Sequence, residues 1–320
     1  MLIEFVKVEL PDSAPVWLPY VKERMDSHTI YVASGHYRYD EASRLLRRHF
    51  VNDSMRNRML IDVGANIGAY TLAVASLGVP AIAIEALPDN FLLLTAAVEK
   101  NGLRNVRCIH AAMTDQMSVL QIGGASAWGY VSDQPGIPVP GLTLDHLLST
   151  MEPLSAAFIK IDVEGHEHQV LMGAQRFLDV VPDVDIMIEI FPGHEGSLAF
   201  LEERGFHCYM IKLESLIRST SEDFQEAQVT DYFCTRRLIS SSAFADTPVV
   251  QRSLETSTAL LAIEASNAAV EHRIRIASRL KEAPSTLLDS APVQEMLKKL
   301  AEDSDERVRA AISAWYVNAR

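Results

Sequence analysis

Two short apolar runs, each ending on an aspartate and then a glycine, constrain the fold of this chain more than any other feature. The first is Leu60-Ile-Asp-Val-Gly-Ala-Asn-Ile-Gly68, and the second is Ile159-Lys-Ile-Asp-Val-Glu-Gly-His-Glu167. Apolar runs without polar alternation suit strands buried on both faces, as in a parallel sheet covered by helices. In such sheets ligands bind in the crevice past the carboxyl ends of the strands. The two ends, about a hundred residues apart, therefore predict one cleft built from two strands.

The rest of the chain fits that sheet. Strand-like runs occur at 59–63, 80–85, 105–110, 156–163, 184–191, 206–212 and 230–237. Helical patterns lie between them at 67–77, 88–100, 144–151, 167–179 and 195–204. Pro88 opens one helix and Asn101-Gly102 closes it, while Thr143 is placed to cap another. This alternation predicts an α/β fold, a doubly wound, mostly parallel, seven-stranded Rossmann-like sheet with right-handed crossovers. The Gly- and Pro-rich segment 123–141, with Trp128 and Tyr130, breaks the rhythm and reads as a long substrate-side loop.

Composition divides the chain further. Residues 1–40 read as an N-terminal helical or lid segment, 41–240 as the main α/β domain, and 241–320 as an all-helical extension. In that extension Glu271-His-Arg-Ile-Arg-Ile-Ala-Ser278 echoes Glu306-Arg-Val-Arg-Ala-Ala-Ile-Ser313, the pattern of a HEAT-like α-solenoid. A plain bundle or a dimerisation arm fits equally. So few helices can hardly bury a core alone, which points to docking on the main domain, or to self-association or a protein partner through 241–320.

The formal net charge is −13, and residues 1–240 carry 31 acidic against 19 basic side chains. Phosphate contacts need a basic surface, so this balance argues against nucleic acid as a partner. Cys108, Cys208 and Cys234 sit in apolar runs without framework spacing, which suggests reduced thiols. The N-terminus has acidic residues inside its apolar stretch and does not read as a signal peptide. The uncharged stretch from Val63 to Ile84 is broken by Gly64, Asn66, Gly68, Gly78 and Pro80, so it reads as βαβ core rather than a membrane span. A cytoplasmic protein is expected.

At the first strand-end, Gly64 and Gly68 leave room for a ligand, and the helix after Ile67 turns its free N–H groups toward it. Asp62 can accept from an ammonium group or an ordered water. Glu85 ends the next strand, about twenty residues on, where a carboxylate can accept both hydroxyls of a ribose. A dinucleotide would prefer glycine where Asn66 stands. S-adenosylmethionine has no phosphate and needs no such glycine, so the pattern favours it over NAD.

Taken together, Ile61-Asp-Val-Gly-Ala-Asn-Ile-Gly68, Ile84-Glu-Ala-Leu-Pro88, Ala111-Ala-Met-Thr-Asp115, Leu142-Thr-Leu-Asp145, Lys160-Ile-Asp-Val-Glu-Gly-His-Glu167, Val170-Leu-Met-Gly-Ala174 and Ile188-Glu-Ile190 resemble the FkbM family of class I S-adenosylmethionine-dependent methyltransferases. The resemblance covers about residues 40–237. It implies an enzyme, an O-methyltransferase acting on a hydroxyl of a sugar, glycoconjugate or natural product. It also implies Gly64, Asn66 and Gly68 at the methionyl part of the cofactor, Glu85 at the ribose, Ala112 beside the adenine and Glu41 near the cofactor. The helical tail lies outside the common pattern of the family.

Methyl transfer to an alcohol requires alignment of the acceptor and removal of its proton. The second strand-end offers His166 as general base, with Asp162 and Glu164 orienting it or the acceptor. Glu189 ends the next strand and His194 follows, both as candidates for the acceptor pocket. Glu167 and His168 read as a solvated helix face. Two or three of the crowded carboxylates and imidazoles could share a hard divalent ion, but His-Glu-x-x-His spacing is absent and a metal is not expected. The competing readings are an N-methyltransferase, and an S-adenosylmethionine-binding assembly protein whose tail recruits a partner.

Overall fold

The computed structural model describes residues 2–9, 15–24, 27–35, 41–51, 57–126, 128–212, 215–223, 229–239, 249–251, 265, 270–282, 285–313 and 316. The chain begins with two strands, β1 (Ile3–Val8) and β2 (Val16–Val21), paired antiparallel from Ile3↔Val21 to Val8↔Val16. Helices α1 (Ser27–Ala33) and α2 (Glu41–Val51) follow. The expectation of a helical segment over 1–40 is therefore corrected to a hairpin plus one helix. Val8, Val16, Leu18 and Val21 are buried against Ile67, Leu72 and Leu93, so the hairpin covers the helices after the first strand-end. The β-branched run Ile-Glu-Phe-Val-Lys-Val favours a strand wherever such a surface is offered.

Next come β3 (Met59–Val63), α3 (Ala69–Ala75), β4 (Ala81–Glu85), α4 (Pro88–Lys100), β5 (Val106–His110) and the two-residue β6 (Ala112–Met113). Strand β3 is buried at four of its five residues and β4 at all five, as their unbroken apolar runs require.

The stretch expected as a loop at 123–141 is instead part of a second sheet. Its strands are β7 (Ser118–Ala125), β8 (Trp128–Ser132) and β9 (Ile137–Leu142), in the order β6-β9-β7-β8. Pro138 and Pro140 carry turn signals yet lie within β9. Over those positions β9 pairs only with β7, because β6 meets β9 only at Gly141 and Leu142. A proline is tolerated on such an open edge because no partner asks for its N–H. The inner face of this sheet buries Ile122 and Val139 on Leu87 and Ala112.

The chain continues through α5 (Leu144–Ser149), β10 (Ala156–Ile161), α6 (Glu167–Met172), α7 (Gln175–Val180), β11 (Asp183–Ile190), α8 (Gly196–Glu202), β12 (His207–Lys212), β13 (Ser215–Ser219), β14 (Thr230–Thr235) and β15 (Val249–Gln251). The Thr143 hydroxyl caps α5 by accepting the His146 N–H at 2.9 Å. Among the described residues the main sheet has nine strands, ordered β15-β13-β12-β14-β11-β10-β3-β4-β5. The seven expected strands are present. The two additional ones, β13 and β15, are short and extend the edge beyond β12. Strand β15 also corrects the expectation that 241–320 is helical throughout.

Beyond it lie α9 (Val270–Arg279), α10 (Ser285–Leu288), α11 (Ala291–Ala301) and α12 (Glu306–Ser313). The echoing segments form α9 and α12, whose Ile276, Val308 and Ile312 share a core with Val293, Leu297 and Leu300. Among the described residues no helix is long and apolar enough to cross a membrane.

Strands β3 and β10 are parallel neighbours, with Asp62 opposite Lys160 and Val63 opposite Ile161. From β3 the chain passes to β4 on one side, while β10 flanks it on the other. That divergence is a topological switch point, where an open α/β sheet leaves a crevice.

Candidate active site

At that switch point a cleft of about 130 Å³ opens past β3, β4 and β10. It is lined by Gly64, Asn66, Glu85, Ala112, Asp162, Glu164 and His166 from the sequence reading, together with Tyr70, Leu87, Met113, Tyr130 and Lys160. One wall is thus the first strand-end, one the second, and the edge of the second sheet overhangs both.

On the β3–β4 side the Glu85 carboxylate is held by two backbone donors. The Leu87 N–H donates to Oε1 and the Asn66 N–H to Oε2, each at 2.8 Å. Each carboxylate oxygen still has lone-pair capacity for a further donor. Burial pushes Glu85 above the usual carboxylate range, partly offset by those two N–H groups. Asn66 occupies the left-handed region at φ 52°, which asparagine tolerates. Its side-chain oxygen is buried and has no hydrogen-bond partner among the described residues.

Gly64 and Gly68, at φ 80° and 91°, also serve the packing of the protein on itself. A Cβ on Gly64 would fall 1.8 Å from the Asp162 carbonyl oxygen, and one on Gly68 would fall 2.7 Å from the Leu94 side chain. Their small size lets the protein pack against itself, the first glycine joining the two strand-ends and the second seating α3 on α4.

Asp62 lies beneath the cleft, fully buried. It accepts from the Thr71 hydroxyl at 2.6 Å, and the ammonium nearest to it is the protein's own, Lys160 Nζ at 3.7 Å from Oδ1. Lys160 is also 2.9 Å from Asp162 Oδ2 and 3.4 Å from the Gly64 carbonyl oxygen, and it stands 4.6 Å from the centre of the Tyr70 ring. Burial alone would lower its pKa, but Asp162 and Asp62 outweigh it and hold the ammonium charged well above the ordinary lysine value. The sequence reading named both aspartates and overlooked the lysine between them. Its signal was a lone cation in the apolar run of β10, at a position where a buried charge needs a partner.

On the β10–β11 side, Glu164 is half-buried at the cleft with its backbone at φ 53°. Burial, with Asp162 and Glu167 nearby, pushes it up to about 7. His166 Nε2 is 3.1 Å from Thr114 Oγ1, whose own proton is directed to Asp115 Oδ1 at 3.1 Å. Burial holds this imidazole below its usual value, with Asp115 acting in the other direction. Glu167, expected on a solvated face, is fully buried. Its Oε1 accepts the N–H groups of Val163 and Gly165 at 3.1 and 3.0 Å and so fastens the turn. The carboxylate comes back over its own helix start, where free N–H groups await a partner.

Glu189 ends β11 opposite Asp231 and does not line the cleft. Burial and the carboxylates of Asp162, Asp231 and Glu164 push it far above the usual range, so it keeps its proton at neutral pH. His194 is exposed on the turn after β11, close to Gly165 but outside the cleft lining. Glu41 opens α2, and its side chain lies outside the described residues. Among the described residues no group of three or more His, Cys, Asp or Glu is placed to hold a metal ion.

Solved structures to which the chain is similar include a precorrin-6y C5,15-methyltransferase from Geobacter metallireducens, at 11% identity, covering 68% of this chain and 93% of that one, with a TM-score of 0.39. Another is a 16S rRNA methyltransferase from T. thermophilus in complex with AdoMet and guanosine, at 18% identity, with coverages of 74% and 51% and a TM-score of 0.41. A third is an rRNA methylase from Streptococcus thermophilus, at 16% identity, with coverages of 62% and 93% and a TM-score of 0.34. No curated protein matches the sequence. Residues 62–208, which hold the aspartates and glycines of both strand-ends and every cleft residue named above, match the family model described as Methyltransferase FkbM domain. The protein is a methyltransferase, and the part of it that matches the FkbM methyltransferase domain is residues 62–208.

Proposed function

We propose that the protein transfers a methyl group from S-adenosylmethionine to a hydroxyl of a sugar, glycoconjugate or natural product. The observation that carries the cofactor half is the buried, partnerless side-chain oxygen of Asn66 in the cleft wall. An amide oxygen left so costs about 1–3 kcal/mol, which a ligand donor such as the methionyl ammonium recovers. Glu85, fixed by two N–H groups, suits the ribose hydroxyls, and the apolar Leu87, Ala112 and Met113 suit the flat adenine. The bound donor supplies a methyl group on a sulfonium. The chain's own residues orient it, exclude water and hold the acceptor.

Calorimetric titration with S-adenosylmethionine and its demethylated product tests this directly. Wild-type protein is expected to bind both. Glu85→Ala is expected to weaken binding by about 1.5–3 kcal/mol, the range for hydrogen bonds to a charged group. Unchanged affinity in that variant removes Glu85 from the site, and no binding by folded wild-type protein rejects the cofactor.

The acceptor half is supported by the rim. Trp128 and Tyr130 are 53% and 48% exposed and are two apart on β8, so they project to one face. Tyr130 lines the cleft mouth. Exposed rings beside a carboxylate-lined site suit a pyranose, whose C–H face stacks and whose hydroxyls donate. The same carboxylates disfavour a phosphate-rich chain. Replacing either ring by alanine is expected to raise the KM for a glycoside acceptor roughly two- to tenfold, with cofactor affinity unchanged. Steady-state kinetics on a panel of methyl glycosides reads this, and an unchanged KM in both variants argues against stacking.

A further inference from the structure

The turn between β10 and α6 places two successive residues in the left-handed region, Glu164 at φ 53° and Gly165 at φ 97°. Glycine enters that region freely, and asparagine and aspartate routinely, but a long side chain pays steric strain there. The buried Glu167 carboxylate fastens the turn through the Val163 and Gly165 N–H groups, so the fold imposes the conformation on residue 164. The Glu164 side chain returns nothing to the fold: among the described residues it has no hydrogen bond and no ion pair. What it provides is a carboxylate at the cleft, across from the cofactor wall.

We propose that Glu164 is the catalytic base, the group that takes the hydroxyl proton of the acceptor. This rests on the reading of the site as an O-methyltransferase. The acceptor oxygen forms the new C–O bond with a lone pair. The S–CH3 bond breaks with its electrons remaining on sulfur, and the hydroxyl proton passes to the Glu164 carboxylate. The groups facing that carboxylate are Lys160 and Asp162 at the end of β10, Glu167 on α6 and Glu189 on β11, with His166 next in the turn. Burial, then Asp162 and Glu167, outweigh Lys160 and place the titration of Glu164 at about 7, where a base is half ionised at working pH. His166 has its Nε2 committed to Thr114, which makes it a support of the cleft wall.

Glu164→Gln, Glu164→Gly and His166→Gln test the assignment, with methyl-labelled S-adenosylmethionine and methyl glycosides as acceptors. Glu164→Gln is expected to lower kcat by about 100-fold or more, to keep wild-type cofactor affinity and to lose the kcat/KM limb near pH 7. His166→Gln is expected to keep that limb. Glu164→Gly should be equally inactive yet melt at or above the wild-type temperature at pH 8, since glycine fits the turn.

A second readout needs no acceptor. A carboxyl raised to about 7 in the folded state stabilises it fully below the unfolded pKa of about 4.5, and that contribution is lost as pH rises through 7. The melting temperature of wild type relative to Glu164→Gln should therefore fall between pH 4.5 and 8. Turnover within tenfold of wild type in Glu164→Gln, persistence of the pH limb in that variant, or a pH-independent melting difference would overturn the proposal. Cofactor binding without methylation of any hydroxyl rejects the O-methyltransferase reading instead, and the melting series still decides whether Glu164 titrates near neutrality.

Discussion

Lys160→Met is expected to lower the unfolding free energy by about 3–5 kcal/mol at pH 8, the range for removing one partner of a buried ion pair. The lysine is 4% exposed and its ammonium lies between the fully buried Asp62 and the partly buried Asp162. Methionine preserves length and apolar volume, so the loss reports charge rather than packing. Without the cation, Asp62 keeps its hydrogen bonds from the Thr71 hydroxyl and backbone N–H but loses its counter-ion in the core. Burial already pushes Asp62 above the usual carboxylate range, and the variant should push it further.

The sign of the pH dependence follows. A carboxyl with a raised folded pKa stabilises the fold fully below its unfolded pKa, and that stability disappears as pH rises through the folded one. The variant should therefore recover much of its deficit between pH 8 and pH 5, as Asp62 takes up a proton. Wild type should gain less over that range, since a charged Lys160 remains beside Asp62 throughout it. Urea unfolding at the two pH values measures it. A deficit under about 1 kcal/mol at both would mean that the pair is as weak as a surface one.

This lysine also shows what was legible in the sequence. The strand-ends could be read because β3, β4, β10 and β11 are covered on both faces and are therefore apolar along most of their length. Their adjacency followed from the switch-point rule, and Glu85, Asn66, Asp162, Glu164 and His166 do converge on one cleft. Burial of charge was harder to see. Glu167 looked like a solvated side chain, and Lys160 passed unnoticed, because a sequence window does not show the backbone N–H groups and carboxylates that satisfy them. The second sheet was hidden for a different reason. Its Gly123, Gly124, Pro138 and Pro140 carry turn signals, and only the pairing of β7 with both β8 and β9 turns them into strand. The hairpin β1–β2 likewise depends on the apolar surface of α3 and α4, contributed from residues about fifty or more positions away.

The second large effect is expected at Gly64. Its φ is 80°, and an alanine Cβ would lie 1.8 Å from the Asp162 carbonyl oxygen and 2.9 Å from its carbonyl carbon. Ordinary contact begins near 3.4 Å. The obstacle is backbone of the neighbouring strand, held in register by Lys160↔Asp62 and Ile161↔Val63, so no rotamer change relieves it. Strands β3 and β10 would have to part at their carboxyl ends. Gly78→Ala is the matched control: its φ is 86°, and nothing lies within 4 Å of its Cβ position. That variant should lose only the left-handed backbone cost, about 1–2 kcal/mol. Gly64→Ala should lose about 3–5 kcal/mol, in the range reserved for clashes that the core cannot absorb. It should also abolish cofactor binding, because the same movement displaces Lys160 from the Gly64 carbonyl and carries Asp162 away from Asn66 and Glu85. Denaturant unfolding with calorimetry on both variants separates the terms. Equal losses would show that the strand-ends yield, and that the donor and acceptor walls are not held in register by this contact.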